Sequence, residues 1–360
     1  MTLNSDPSAF FAGRRVFVTG HTGFTGSWLC SWLLRAGAKV SGFSLVPPAD
    51  QDLSLFERSG LADRMDSCLG DIRDRTALAD AITKANPEIA FHLAAQPLVR
   101  KSYRDPEETI ETNIVGTLNV LRAAQRAGVQ QFVNITSDKA YENREWIWGY
   151  RENDRLGGRD IYSASKGCAD ILTKSFWSSF CQANEAMRVV TCRSGNIIGG
   201  GDWAEDRLVP DIVRAYQRSE KVTIRHPGAI RPWQHVLESV RGYMRAAEAL
   251  AGGAFNGHAL NFGPNPENVV NVGELAERLM RSLGHDDFEI MSEASALHEA
   301  TLLRLDITRA RVELCWAPVL GCDRTIDMTA QFYKSLIANP SSAADLLESD
   351  IGSYISDCLR

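Results

Sequence analysis

The sequence predicts an α/β fold, a doubly wound parallel sheet carrying a smaller, interleaved C-terminal domain. Three observations predict it. Short β-rich apolar runs recur at helix-sized intervals, three glycines follow the first of them at every third position, and the character of the chain changes after Arg193.

Arg15-Val16-Phe17-Val18-Thr19 reads as the first strand. Gly20, Gly23 and Gly26 come next, and the apolar stretch 28–34 reads as a helix. Gly37 suits that helix's C-terminal cap, after which Lys39-Val40-Ser41-Gly42-Phe43 completes a βαβ unit as the second strand. Further strands are expected around 67–69, 89–93, 131–136 and 188–192, with helical periodicity over 105–126 and 162–180. Past Arg193, Gly199-Gly200-Gly201 opens a stretch dense in Trp, Arg and Pro that runs to Val236. Helical patterns return at 238–250 and 272–283, with Asn261-Phe262-Gly263-Pro264-Asn265-Pro266 read as the break between them, and 341–360 reads as a terminal helix. The expected division is a sheet domain over 1–193, with a helical return around 236–250, and a smaller domain made mainly of 194–360.

With 44% hydrophobic and 23% charged residues, 360 residues bury a full core. The net charge of −6 is small and the basic residues are scattered, so neither nucleic acid nor an anionic membrane is an expected partner. Residues 1–13 lack a basic flank before a long apolar run, and no apolar stretch reaches spanning length, which leads us to expect a cytoplasmic protein. Eight dispersed cysteines without a Cys-x-x-Cys, and seven dispersed histidines, give no reason to expect a disulfide framework or a metal site.

Gly20-x-x-Gly23-x-x-Gly26 lies between a strand and a helix, where a dinucleotide's pyrophosphate is cradled. Glycines allow the tight turn and close backbone approach, and the helix N-terminus attracts the anion. Asp71 in Gly70-Asp71-Ile72, after the third strand, is a candidate for the adenine edge. The second strand ends in Phe43-Ser44-Leu45, with no acid for a ribose hydroxyl and no Arg for an extra phosphate, so that strand leaves NAD and NADP open. Ser137-Asp138-Lys139 caps an apolar strand at the carboxyl edge, where open α/β sheets bind ligands, and brings together a hydroxyl, an acid and a potential base. Tyr162-x-x-x-Lys166 places both side chains on one helix face, where an ammonium stabilises phenolate and lowers the phenol pKa. Arg207, Arg225 and Arg231, with Trp203 and Trp233, supply the forked cations and flat platforms that a nucleoside diphosphate needs.

Four strings together resemble the extended short-chain dehydrogenase/reductases: Thr19-Gly20-His21-Thr22-Gly23-Phe24-Thr25-Gly26, His92-Leu93-Ala94-Ala95-Gln96-Pro97, Tyr162-x-x-x-Lys166 and Arg193-Ser194-Gly195-Asn196. Within that family, Thr136-Ser137-Asp138-Lys139-Ala140-Tyr141, Gly199-Gly200-Gly201-Asp202-Trp203 and Arg231-Pro232-Trp233-Gln234-His235-Val236 are similar to the sugar-nucleotide 4,6-dehydratases that act on CDP-glucose. The likeness runs from about Gly13 to about Trp316. The dTDP-glucose branch carries Asp-Glu where this chain has Asp138-Lys139, and the family's epimerases lack an acid–base pair there.

The resemblance implies a Rossmann-type sheet and NAD as cofactor. NAD would be held by Gly20, His21, Thr22, Gly23, Phe24, Thr25, Gly26, Asp71, Ile72, Leu93, Ala94, Ala95, Tyr162 and Lys166. Ser137, Asp138, Lys139, Tyr162 and Lys166 would carry the chemistry, with Lys139 either removing the carbon 5 proton or stabilising the enolate. Asn196, Gly201, Asp202, Arg207, Arg225, Arg231 and Trp233 would bind the nucleotide sugar. Thr112 and Asn113 would shape the nicotinamide side, while His21 and His235 would bind or pack without acting as acid or base. It implies a homodimer or homotetramer formed through helices 105–126 and 162–180. Other sugar-nucleotide dehydratases or 4-epimerases of this fold, and a non-catalytic dinucleotide-binding regulator, stand as alternatives.

Overall fold

The computed structural model describes residues 3–47, 54–183, 186–285, 290–292 and 300–359. Among these residues one sheet holds seven strands: β1 (Arg15–Thr19), β2 (Lys39–Ser44), β3 (Asp66–Leu69), β4 (Ile89–His92), β5 (Gln131–Ile135), β6 (Arg188–Ser194) and β7 (His258–Phe262). All are parallel, in the order β7-β6-β5-β4-β1-β2-β3. The order reverses at β1, whose Thr19 pairs with Phe43 on one side and His92 on the other, so a crevice opens at the carboxyl end of β1.

Helices α1 (Phe24–Arg35) and α2 (Arg75–Ala85) are followed by α3, which runs over 106–126 and is π-helical across Glu111–Gly116. Next come α4 (Ile161–Phe180), α5 (Leu208–Arg218), α6 (Val236–Ala251), α7 (Val272–Leu283), α8 (Cys322–Ala338) and α9 (Ala343–Cys358). One face of the sheet is covered by α1 and α6 through Trp28, Leu33, Val240 and Met244, with α9 packed behind α1 through Tyr354. The other is covered by α2, α3 and α4 through Ile82, Leu121, Phe132 and Phe176. A separate core of Ile212, Val213, Leu275, Leu279 and Tyr333 is built by α5, α7 and α8.

Residues 258–262 correct the sequence reading. Asn261 and Phe262, taken as the start of a break, end a strand that pairs with β6 from His258↔Val190 to Phe262↔Ser194. Buried Asn261 disguises the strand. Its amide donates to the carbonyls of Tyr150 (2.8 Å) and Asp306 (3.0 Å) and its Oδ1 accepts from Tyr141 Oη (2.7 Å), so a polar residue is satisfied at depth. The helix after β1 also begins four residues before Trp28, at Phe24, and α5 and α8 were not read at all. The terminal helix α9 packs on the outside of α1: Glu348 pairs with Arg35 at 2.8 Å and Tyr354 lies edge-on to Trp32. Among the described residues no helix is long and apolar enough to cross a membrane, and no His, Cys, Asp and Glu cluster is arranged to hold a metal.

Candidate active site

The β1–α1 turn can be built only with glycine. Gly20 has φ +78°, and a Cβ there would lie 2.8 Å from the Ala94 amide nitrogen. A Cβ on Gly26 would lie 2.1 Å from the Gly20 carbonyl oxygen. Gly23 is the N-cap of α1 and no side chain caps the helix, so the first-turn amides lack intrahelical acceptors. That donor set suits a pyrophosphate, and a dinucleotide fits the cradle. Thr22 Oγ1 fastens the turn to the end of β2 through Ser44 Oγ (2.7 Å) and the Leu45 carbonyl (2.9 Å).

His21 packs beneath the cradle. Its ring is buried edge-on to Phe56, Nε2 lies 2.7 Å from Ser67 Oγ, and burial pushes its pKa down to about 4, leaving it neutral. Any contact of His21 with a cofactor is therefore through its main chain. Beyond β3, the Asp71 carboxylate is engaged by Arg73 at 2.6 Å, and Ile72 is a core residue against which Gly116 packs. Leu93 and Ala95 line the main cavity, whereas Ala94 abuts Gly20.

Ser137, at the end of β5, caps a single turn over Asp138–Ala140 by accepting from the Lys139 amide at 3.2 Å. Its hydroxyl donates to Asp138 Oδ1 at 2.9 Å. Asp138 is 1% exposed, and its Oδ2 has no hydrogen-bond partner among the described residues. Burial raises the Asp138 pKa above the ordinary carboxyl value, against the pull of Lys139, Ser137 and Arg231. Asp160 caps α4 by accepting from the Ser163 amide at 2.8 Å, which starts the helix just ahead of Tyr162.

Burial dominates both members of the Tyr-Lys pair. It pushes the Tyr162 phenol up to about 12, opposed chiefly by the Arg207 charge and by the polar Ser137 hydroxyl, and pushes Lys166 down to about 8. The sequence reading looked to Lys166 to lower the phenol pKa; in the folded chain the largest lowering influence is Arg207.

Two buried networks hold α4 in place. Asn113, in the π-helical turn, accepts from the Gln96 amide (2.8 Å) and donates to the Gln96 carbonyl (3.1 Å) and Ser165 Oγ (2.9 Å), between Tyr162 and Lys166. Arg193 grips Asp170 with two hydrogen bonds of 2.6 and 2.9 Å, docking α4 onto β6. Asp170 escaped the sequence reading although it follows Lys166 by one helical turn.

A cavity of about 660 Å³ joins the sheet edge to the smaller core. Ser137, Asp138, Lys139, Tyr162 and Lys166 line it from one side, and Asn196, Asp202, Arg207, Arg225, Arg231 and Trp233 from the other. Gly201 does not line it; with φ +85° and a Cβ that would meet Leu55 at 2.7 Å, it shapes the loop. Asp202 orients Arg207 (3.3 Å), and Asp206 holds both Arg225 (3.2 Å) and, from across the cleft, Arg100 (3.0 Å). Asp206, Asp211 and Arg214 also line the cavity and were not singled out, although the spacing of Leu208-Val209 and Ile212-Val213 carried a helical signal for α5. His235 Nδ1 accepts from the Leu237 amide at 3.3 Å to cap α6; burial takes its pKa down to about 3, and it too is a neutral packing residue.

Residues 16–263 match the NAD dependent epimerase/dehydratase family. The chain is 46% identical to the CDP-glucose 4,6-dehydratase of Salmonella typhimurium, over 91% of this chain and 92% of that one. It is 27% identical to the dTDP-glucose 4,6-dehydratase of Streptomyces griseus, over 88% and 93% of the two chains. Among solved structures it shares its fold with a UDP-glucose 4-epimerase from Thermotoga maritima (TM-score 0.78, 22% identity, 89% of this chain and 99% of that one). It shares it equally with a dTDP-glucose 4,6-dehydratase from Streptomyces venezuelae determined with NAD bound (TM-score 0.77, 23% identity, 91% and 99%).

Proposed function

The chain belongs to the NAD-dependent epimerase/dehydratase family, and on that premise we propose that it converts CDP-D-glucose to CDP-4-keto-6-deoxy-D-glucose and water. The observation that carries dehydration is Asp138, a carboxyl held toward its protonated form by burial, in one cavity with Tyr162 and Lys166. Epimerisation at carbon 4 calls for no acid to serve a departing hydroxyl. Dehydration does.

The glycine cradle and the first turn of α1 would hold the pyrophosphate of NAD, which would supply hydride storage, taking hydride from carbon 4 and returning it to carbon 6 with no net redox change. Tyr162, which lines the cavity with Ser137, takes the proton of the carbon 4 hydroxyl; Arg207 and Lys166 are the cations this chain offers to stabilise the phenolate. The resulting ketone acidifies the carbon 5 hydrogen; Lys139 takes that proton during the elimination and returns it to carbon 5 once carbon 6 has been reduced. Asp138 passes its proton to the carbon 6 hydroxyl, which leaves as water. Arg207, Arg225 and Arg231 bind the diphosphate, with Asn196, Asp202 and Trp233 shaping the site around it.

Incubating the protein with NAD and CDP-, UDP-, dTDP- or GDP-linked glucose and weighing the products tests this reading. Loss of one water from CDP-glucose alone is expected. A mass-neutral change would point to epimerisation, and no change with any sugar would sink the enzymatic reading.

The two helices α3 and α4 leave Ile110, Val115, Ile161 and Ile171 exposed, apolar surface suited to the same surface of a second copy. We assign the protein a homodimer formed there. Light scattering should report a dimer, and Ile171→Glu a monomer; a monomeric parent protein would refute it. A cytoplasmic location accompanies a substrate carried on a nucleoside diphosphate, and cell fractionation would test that placement.

A further inference from the structure

Asp211 offers a means of choosing the nucleobase. The sugar must lie against Ser137 and Tyr162, and the diphosphate against the arginines, so the base falls further along the cavity, where α5 and residues 222–224 form the wall. Arg207 marks the near end, since its charge acts on the Tyr162 phenol. Asp211, one turn further along α5, interacts instead with Arg214, Arg225, Asp206 and Asp202.

Asp211 is half-buried and its orientation is fixed. Arg214 Nη1 lies 2.7 Å from Asp211 Oδ1, and the same guanidinium is tied down by the carbonyls of Trp203 and Ala204. Cytosine presents an amino group at carbon 4, a donor that a carboxylate accepts, whereas uracil and thymine present a carbonyl oxygen there. Facing a carboxylate, that oxygen leaves two acceptors together with no proton between them.

We propose that Asp211, oriented by Arg214, selects cytosine by accepting a hydrogen bond from its amino group and rejects uracil and thymine. The proposal rests on the nucleotide-sugar reading above and names the residue that sets its base preference. Burial pushes the Asp211 pKa up to about 6, with Asp206 and Asp202 adding to the rise against Arg214 and Arg225, so the carboxylate is the prevailing form at neutral pH.

The test is calorimetric binding of CDP, UDP and dTDP to the parent protein and to Asp211→Asn and Asp211→Ala, with melting temperatures confirming that each variant is folded. The parent should favour CDP by about ten- to a hundredfold, the range of one good base contact. Asp211→Asn, whose amide can donate to a carbonyl oxygen, should bring UDP within about threefold of CDP, while Asp211→Ala should weaken CDP about tenfold without strengthening UDP. An unchanged CDP-to-UDP ratio in both variants, or a parent protein without preference, would overturn the proposal. Turnover of CDP-glucose by the parent is scored separately: selective CDP binding without dehydration would refute the reaction and leave the base contact standing.

Discussion

Replacing Tyr162 by Phe should abolish turnover while leaving the binding sites intact. Removal of the proton acceptor is expected to lower the dehydration rate by about 10³-fold or more, the scale of general acid–base catalysis. CDP should bind within about threefold of the parent affinity, because the phenol supplies none of the diphosphate arginines and the substitution preserves the ring that fills the site. Run in heavy water, the variant should return CDP-glucose with no added mass. Carbon 5 becomes acidic only after carbon 4 has been oxidised, and without Tyr162 that oxidation never starts. Dehydration at near-parent rate would remove Tyr162 from the mechanism; an equal loss of CDP binding would mean that the ring serves the fold.

Parts of the site are written in local sequence, and parts exist only in the folded chain. The cradle was legible because the turn after β1 demands glycine at Gly20 and Gly26, where any Cβ collides with backbone. Ser137-Asp138-Lys139 was legible because an apolar strand delivers it to the sheet edge. Neither the buried state of Asp138 nor the contrary pKa shifts of Tyr162 and Lys166 is a local property, since both arise from burial that only the folded chain provides. Strand β7 escaped notice because its partners lie far off in sequence: Asn261 looks like a loop residue until Tyr141, Tyr150 and Asp306 converge on it. Helix α5 was hidden by Pro210, a residue tolerated there because it falls in the first turn. With α5 unread, Asp211 and Arg214 had no wall to stand on.

Asp138→Asn separates the two halves of the reaction that Tyr162→Phe stops together. Asparagine keeps the shape and can still accept from Ser137, but it has no acidic proton for the departing hydroxyl. Dehydration should fall by about 10²- to 10³-fold, the usual worth of a general acid. Oxidation at carbon 4 and loss of the carbon 5 proton need only Tyr162, Lys166 and Lys139, so CDP-glucose recovered from heavy water should gain the mass of one deuterium instead of losing one water. In the parent protein the acid must be protonated, and the rate should decline as pH rises through the raised pKa of Asp138; the variant should lose that decline. Stability carries the same sign. A carboxyl whose pKa is higher folded than unfolded contributes stability below its unfolded value, near 3.9, and loses that contribution as pH rises through the folded one. Above that unfolded value, where the fold has begun to lose this contribution, Asp138→Asn should therefore melt at or above the parent temperature, and the gap should close in acid. A variant that melts lower at neutral pH, with dehydration and deuterium uptake lost in parallel, would make Asp138 a structural support for the turn after β5 and leave the departing hydroxyl without its acid.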